Sequence, residues 1–281
     1  MPRPAVFVLL VVLCFGASAG DNHIVADVRK LRLAGELNKA LTLAEQIIDA
    51  PEASPQLVFD LQLERAKIHD RFGLHNDSRP VVAALDAIRA AKEISSQLDL
   101  PAGAEVQLAL ADYYYRAEMA EREFDTAIKH ALRAIFLFRE FGDKHHEAEA
   151  VHRLGLIHLQ RRELDRAREL FDESLRVDNE GGPRDFFRGE YERHVGFVYW
   201  LQEQYAEALP YFERSLAYRL KAGAVDASLF AAVSLASTLV ELGRGEEAMS
   251  HLDYALEIAD QINSPAGRRR AEAVLARISP E

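Results

Sequence analysis

The chain has 281 residues, of which 49% are hydrophobic, and its 45 acidic residues outnumber its 34 basic residues. The resulting net charge of −11 at neutral pH disfavours binding to nucleic acids and to anionic lipid headgroups, because their phosphates repel an acidic surface. The only cysteine is Cys14, so the sequence excludes an intrachain disulfide and a metal site built from several cysteines.

Residues 1–19 have the features of a secretory signal. Arg3 gives a positive start, Ala5–Phe15 is an apolar core of eleven residues, and Ala17-Ser18-Ala19 offers small residues for cleavage. Eleven apolar residues are too few to cross a bilayer. We therefore expect cleavage after Ala19 and export to a bacterial periplasm. An uncleaved anchor is the alternative, whereas the bulky residue before Cys14 disfavours a lipoprotein signal.

The mature chain would be a single domain of residues 20–281. Loss of Arg3 lowers its net charge from −11 to −12, and loss of Cys14 leaves it without a thiol. No long apolar run follows residue 19, so we expect the mature chain not to span a membrane.

A pattern of small and apolar residues recurs along the chain. Each copy has Ala, then an apolar or small residue four positions on, Ser or Ala seven positions on, and Leu or Ile eight positions on. The copies begin at Ala127, Ala167, Ala208 and Ala248, at spacings of 40, 41 and 40 residues. Because offsets of four, seven and eight share one face of an α-helix, the pattern predicts equivalent helices in successive units.

A second apolar segment precedes each of the two clearest copies. Leu154–His158 and Val195–Tyr199 each contain a glycine, Gly155 and Gly196, at the same distance before the copy. These segments are typical of first helices in which a small residue lets the partner helix approach closely.

Weaker copies extend the array towards the amino terminus. Glu36–Ala40 matches the turn and second helix of a first unit, preceded by a first helix over Asp21–Leu33. The next unit is expected to have helices over Gln56–Phe72 and Ser78–Leu98, around Ala84, Ile88 and Ala91, with a long turn at Gly73–Arg79. Six units result, and Ser264-Pro265 predicts the start of a final capping helix over Ala266–Ile278.

This order of features resembles the tetratricopeptide repeat. The likeness is carried by Leu154-Gly155, Tyr199, Ala167 with Phe171, and Ala208 with Phe212. The family repeats every 34 residues or so, and each unit here is longer by about six, as in long-helix variants of the family. The Trp and Pro usual in the family unit are missing. The resemblance implies an all-α fold, a right-handed α-solenoid of about six helix-turn-helix repeats with a C-terminal capping helix.

In the family, the first helices of successive units line a concave channel that holds an extended peptide or a helix of another protein. Alignment of the units by their small residues places nine residues along that channel: Asp112, Arg116, Glu149, His152, Arg153, Glu190, Arg193, Phe197 and Trp200. A polar lining with aromatic anchors suits a peptide that carries both charge and an apolar side chain. Packing between repeats is the alternative role, above all for Phe197 and Trp200. The family's Lys and Asn clamp for a C-terminal carboxylate is not matched, since Asp112 and Arg116 stand there.

The sequence contains no recognised catalytic motif. Gly-x-Ser-x-Gly, a Gly-rich phosphate loop and His-Glu-x-x-His are all missing, so we predict neither enzymatic activity nor a cofactor. His145, Glu149 and His152 are four and three residues apart and could share a helix face as metal ligands. A solvated helix face is the favoured interpretation, and we predict no metal site.

We therefore favour a non-enzymatic adaptor that binds a protein or peptide in the channel, does not bind nucleic acid and could form a homodimer. A sensory input module of a membrane signalling system and a metal-binding protein are the alternatives. We also expect deletion of one whole unit, Ala148–Arg188, to leave a shorter folded stack, because neighbouring units meet through similar faces.

Overall fold

A computed structural model describes residues 17–75, 82–98, 101–117 and 124–278. Within these ranges the chain forms thirteen α-helices and no β-strand, which confirms the predicted all-α class. The helices are α1 (Ala17–Leu33), α2 (Leu37–Ile48), α3 (Pro55–His75), α4 (Val82–Ser95), α5 (Pro101–Ala117), α6 (Asp125–Phe141), α7 (Lys144–Gln160), α8 (Leu164–Gly181), α9 (Asp185–Leu201), α10 (Tyr205–Lys221), α11 (Val225–Glu241), α12 (Gly245–Gln261) and α13 (Pro265–Leu275).

Consecutive helices pack as six pairs, from α1 with α2 to α11 with α12, and each pair packs on the next. This arrangement confirms the predicted solenoid of six units, and α13 packs on the last pair as the predicted capping helix. Ser264 caps α13 by accepting a hydrogen bond from the Gly267 backbone N–H at 3.2 Å. Of the uncertain second unit, α3 continues through Gly73 to His75, and the predicted helix start at Ser78 lies outside the described residues.

The recurring pattern forms the interface within each unit. Ala127, Ala167, Ala208 and Ala248 have no exposed surface. A methyl group added at Gly155 would lie 2.7 Å from Phe171 Cε1, and one added at Gly196 would lie 2.9 Å from Phe212 Cε1. Both distances are far below van der Waals contact, so the two glycines do let the partner helix approach, as predicted.

The turns repeat with the same period as the helices. Turns between units contain Gly142, Gly182, Gly223 and Asn263, all with positive φ. Turns within units contain Arg162, Glu203 and Gly243, with φ of 63°, 60° and 71°. A single left-handed residue thus ends the first helix of each of these units, whether or not it is glycine.

The first two units meet the last unit and its capping helix, so the solenoid closes on itself. The Arg71 guanidinium on α3 lies 3.3 Å from the Asp226 carboxylate on α11, measured from Nε to Oδ2. A methyl group at Gly35 would lie 2.5 Å from Ile262 Cγ2, and α13 packs against α3 as well as α11 and α12. The sequence did not predict this closure, because none of these contacts lies within one repeat.

The predicted signal core, Ala5–Phe15, lies outside the described residues, and α1 begins at Ala17, before the predicted cleavage site. The export signal and the domain limits therefore stay predictions. In the described ranges, no helix is both long enough and apolar enough to cross a membrane.

Candidate ligand-binding channel

Polar side chains from the first helices face one another across the interior of the closed solenoid. Arg71 on α3 lies close enough to Glu190 on α9 and to Arg153 on α7 for their charges to interact. Arg193 on α9 is similarly close to Tyr115 on α5 and to Arg270 on α13. Residues from units far apart in the sequence thus share one interior surface, which we call the channel.

The channel side chains are surrounded by protein but remain accessible to water. The Arg153 and Glu190 side chains are each 26% exposed, Asp70 is 35% exposed and Asp112 is 38% exposed. Core residues of the same helices are almost completely buried, as Val151 and Val195 show. The partial exposure therefore identifies the lining of a channel rather than a packed core.

Five arginine–carboxylate pairs line the channel and its rim. They are Arg116 with Asp70, Arg71 with Asp226, Arg153 with Asp112, Arg184 with Glu149, and Arg219 with Glu190. All but the last join side chains from different units or from a turn between units. The pairs therefore hold the units in register, and five of the nine predicted channel residues already have a charged partner within the protein.

Arg219 illustrates how the fold accommodates a buried charge. Its side chain is 2% exposed and donates to the Glu190 carboxylate and to the Ala227 carbonyl oxygen, the latter at 2.7 Å. Gly189 makes room for it, since a methyl group there would lie 3.0 Å from Arg219 Cγ. Burial alone would raise the pKa of Glu190, but Arg219 and other nearby cations lower it, so Glu190 is ionised at neutral pH.

Arg193 has no carboxylate within salt-bridge distance among the described residues. Its Nη1 lies 3.2 Å from His194 Nε2, its guanidinium carbon lies 4.7 Å from the centre of the Phe197 ring, and its Nε has no hydrogen-bond partner. Burial, together with the neighbouring Arg219 and Arg270, lowers the pKa of Arg193 to about 9 against the attraction of Glu190.

His152 faces the helix interface rather than the channel. It is 5% exposed, its Nε2 lies 2.9 Å from His194 Nδ1, and its Nδ1 lies 3.3 Å from Ser174 Oγ. Burial lowers the pKa of His152 to about 4, so the ring is neutral at physiological pH.

Phe197 and Trp200 are both half-buried. The Phe197 ring meets the Phe212 ring edge to face at 5.2 Å, and the Trp200 ring meets Tyr205 in the same manner at 5.8 Å. Each ring therefore contributes to packing and keeps an exposed part. Their role as aromatic anchors for a ligand stays a prediction.

The three histidine and carboxylate residues considered as metal ligands have separate partners. His145 Nδ1 lies 3.2 Å from the Asp178 carboxylate, Glu149 pairs with Arg184 at 2.6 Å, and His152 bonds to His194. Within the part of the chain that the structure describes, no three potential metal ligands come together.

Sequence reasoning missed His194, Arg184 and two buried charges, Asp178 and Arg219. The last two stand eleven residues after Ala167 and Ala208, on the same helix face as the recurring pattern, and both are almost fully buried. Extending the pattern by one turn would have found them. Their charge partners lie on other elements and leave no comparable signal in the sequence.

One family comparison concerns the last two complete units. The tetratricopeptide repeat model matches residues 185–261, which contain α9 to α12. This part of the chain is built of tetratricopeptide repeats. The six units of the chain follow one packing scheme, with the longer period noted above.

Several solved structures of helical repeat proteins have the same fold. The Rap conjugation gene regulator of plasmid pLS20, in complex with the Phr* peptide, is 12% identical with a TM-score of 0.68, and the match covers 93% of this chain and 80% of that chain. A Rap protein complexed with Competence and Sporulation Factor is 14% identical with a TM-score of 0.64, covering 92% and 85% of the two chains. Aspartyl phosphate phosphatase F from Bacillus subtilis is 12% identical with a TM-score of 0.60, covering 93% and 80%. No curated protein sequence is significantly similar to the chain.

Proposed function

We propose that the protein is a non-enzymatic scaffold that binds a peptide or an extended protein segment in the channel. The observation that carries the proposal is the convergence of partly exposed, charged side chains from α3, α5, α7 and α9 beside the half-buried ring of Phe197. Such a surface offers a ligand both hydrogen-bonding partners and aromatic contacts.

The fold supports the same proposal. Two of the similar structures are complexes, one with the Phr* peptide and one with Competence and Sporulation Factor. We extend binding of this kind to the present chain, with the ligand held by the residues of its own channel.

Photo-crosslinking from two matched positions tests the proposal. Trp200, predicted at the edge of the channel, and Phe136, 53% exposed on α6, are each replaced by the photoreactive amino acid p-benzoylphenylalanine in the protein expressed in its own host. We expect a defined peptide or protein to be captured from position 200 and not from position 136. Capture from position 136 alone would place the ligand on the outer surface and contradict binding in the channel.

We further propose that the protein acts outside the cytoplasm, because residues 1–19 have the features of a secretory signal. Amino-terminal sequencing of the protein isolated from the periplasmic fraction should begin at Gly20. A cytoplasmic protein that still begins at Met1 would contradict this part of the proposal.

One activity has to be tested against the non-enzymatic proposal. Aspartyl phosphate phosphatase F shares the fold, so hydrolysis of an acyl phosphate is the reaction to measure. We expect no release of phosphate from acetyl phosphate or from a phosphorylated response-regulator domain beyond the rate without protein. Catalysed release would replace the scaffold proposal with an enzymatic one.

A further inference from the structure

Arg193 differs from the other arginines of the channel. Arg71, Arg116, Arg153, Arg184 and Arg219 each pair with a carboxylate, whereas Arg193 pairs with none among the described residues. Its nearest cations, Arg219 and Arg270, add to the local positive potential. The neighbouring carboxylate of Glu190 attracts Arg193 but is already paired with Arg219. A largely desolvated cation without a salt-bridge partner of its own is unfavourable, so the site favours an anion supplied from outside.

A chain of hydrogen bonds leads from Arg193 to the backbone of α8. Arginine can only donate, so its Nη1–H donates to His194 Nε2 at 3.2 Å. The other nitrogen of a neutral imidazole must then carry the proton, and His194 Nδ1–H donates to His152 Nε2 at 2.9 Å. By the same logic His152 Nδ1–H donates to Ser174 Oγ at 3.3 Å, and that hydroxyl donates to the Phe171 carbonyl oxygen at 2.7 Å.

The direction of every bond in this relay is determined from both ends. Arginine at one end has no acceptor, and the backbone carbonyl at the other end has no donor. Both imidazoles must be neutral with the proton on Nδ1, since a second proton would place two donors against each other. Burial agrees with this requirement: His152 and His194 are 5% and 6% exposed, and their pKa values lie below the usual range.

The relay leaves most of the Arg193 guanidinium for a ligand. It uses one Nη1–H, and Nε–H is unpaired but buried, so the other Nη1–H and the two Nη2–H groups are the donors left for a ligand among the described residues. The Phe197 ring centre lies 4.7 Å from the guanidinium carbon, so the ring and the hydrogen bond to His194 both hold the guanidinium in place. The planar group therefore has a fixed orientation and unused donors, which is what two-point binding of a carboxylate requires.

We propose that Arg193, held in place by the relay through His194, His152 and Ser174, is the binding site for a carboxylate of the peptide ligand. The inference rests on the proposed function and names the chemical class of the ligand. Both sources of a peptide carboxylate, an acidic side chain and a free carboxyl terminus, present the same chemistry. His194 and His152 are positioning residues, because they act on the ligand only through Arg193.

Three pools of randomised short peptides distinguish the sources. The first pool has free carboxyl termini and no Asp or Glu, the second is amidated and contains one Asp or Glu, and the third is amidated and has no acidic residue. We expect the wild-type protein to retain more peptide from the first or the second pool than from the third. In Arg193→Gln the ratio of retained acidic to non-acidic peptide should fall by about tenfold or more. Arg176→Gln, at a 65% exposed side chain on α8, is the matched control and should behave as wild type.

The outcomes separate this inference from the proposed function. Equal retention of all three pools by the wild type, unchanged in Arg193→Gln, would overturn the carboxylate site and leave peptide binding intact. Retention of none would contradict peptide binding. In that case titration with sodium acetate, against sodium chloride at equal ionic strength, decides the site by itself: the Arg193 Nε–H NMR signal should shift in a saturable manner, and the absence of a shift would overturn it.

Nitrogen NMR of the histidine rings tests the relay without any substitution. At neutral pH both His152 and His194 should be neutral and protonated on Nδ1 alone. A signal showing the proton on Nε2 of His194 would overturn the relay, because that atom could not then accept from Arg193. His194→Leu should weaken acetate binding several-fold and His194→Gln, which keeps a donor and an acceptor, should restore part of it.

Discussion

At the scale of single residues, Gly155 and Gly196 set the distance between the two helices of their units. A methyl group at either position would lie within 3 Å of a buried phenylalanine ring. We expect Gly155→Ala and Gly196→Ala each to lower the free energy of unfolding by about 1–3 kcal/mol, because Phe171 or Phe212 must leave its packed position. Urea denaturation measures the change.

Gly103→Ala on α5 is the control, since no described residue lies within 4 Å of the added methyl group. Alanine favours the helix over glycine, so this substitution should stabilise the protein by about 0.5–1 kcal/mol. Equal destabilisation at all three positions would show that close approach of the helices is not what the glycines provide.

The helical period predicts which side chains share an inner face, but it predicts neither their partners nor the position of His152, which packs in the helix interface. Alignment by the small residues placed Asp112, Arg153, Glu190 and Arg193 on the inner face, because the helical period determines the facing side chains. Which of them are already paired depends on the distance between units, and nothing local in the sequence encodes that distance. The lone position of Arg193 therefore emerged only from the structure.

At the scale of elements, the turns that end α7, α9 and α11 test the cost of a left-handed residue. Glu203 and Gly243 occupy equivalent positions with φ of 60° and 71°. We expect Glu203→Gly to raise the free energy of unfolding by up to about 1 kcal/mol, and Gly243→Ala to lower it by a similar amount, because a Cβ is disfavoured at this φ. Thermal unfolding of the two variants should shift in opposite directions.

The sequence predicted the regular units well because one period fixes both helix faces and turns. It failed at the end of α3, where Gly73 indicated a turn but the helix continues to His75. Leu74 and His75 pack against the C-terminal units, with the His75 ring 6.3 Å from the Phe230 ring. A long-range contact therefore stabilises an additional turn that local propensity would end.

At the scale of the whole molecule, closure of the solenoid makes stability depend on pH. His75 lies in the closing interface, is 2% exposed and has no hydrogen-bond partner among the described residues. Burial, together with the nearby cation Arg71, lowers the pKa of His75 to about 4, and the Asp226 carboxylate opposes this shift. The unfolded chain takes up a proton below about pH 6.5 and the folded chain does not, so this contribution is present above pH 6.5 and is lost as the pH falls towards 4.

His75→Phe should remove this dependence while keeping a ring against Phe230. Between about pH 7 and pH 4 the wild type should lose on the order of 3 kcal/mol more stability than the variant. Urea unfolding at the two pH values gives the comparison. An equal loss in both proteins would show that His75 takes up its proton without opening the interface.

Closure also changes what deletion of a unit is expected to do. Removing Ala148–Arg188 keeps the period of about 40 residues, so the remaining helices can still stack and the helical signal should persist. The array would then be one unit short, and Arg71 in the second unit could not reach Asp226 in the last unit. We expect a folded but open particle that unfolds at a lower temperature, with a larger maximum dimension for its length in small-angle X-ray scattering.

Asp226→Ala in the full chain is the control. It removes the ion pair but keeps the contact of Gly35 with Ile262, so the protein should stay compact. A shortened chain as compact as the full one would mean that the units can change their superhelical angle, and closure would then be a property of the interface rather than of the number of units.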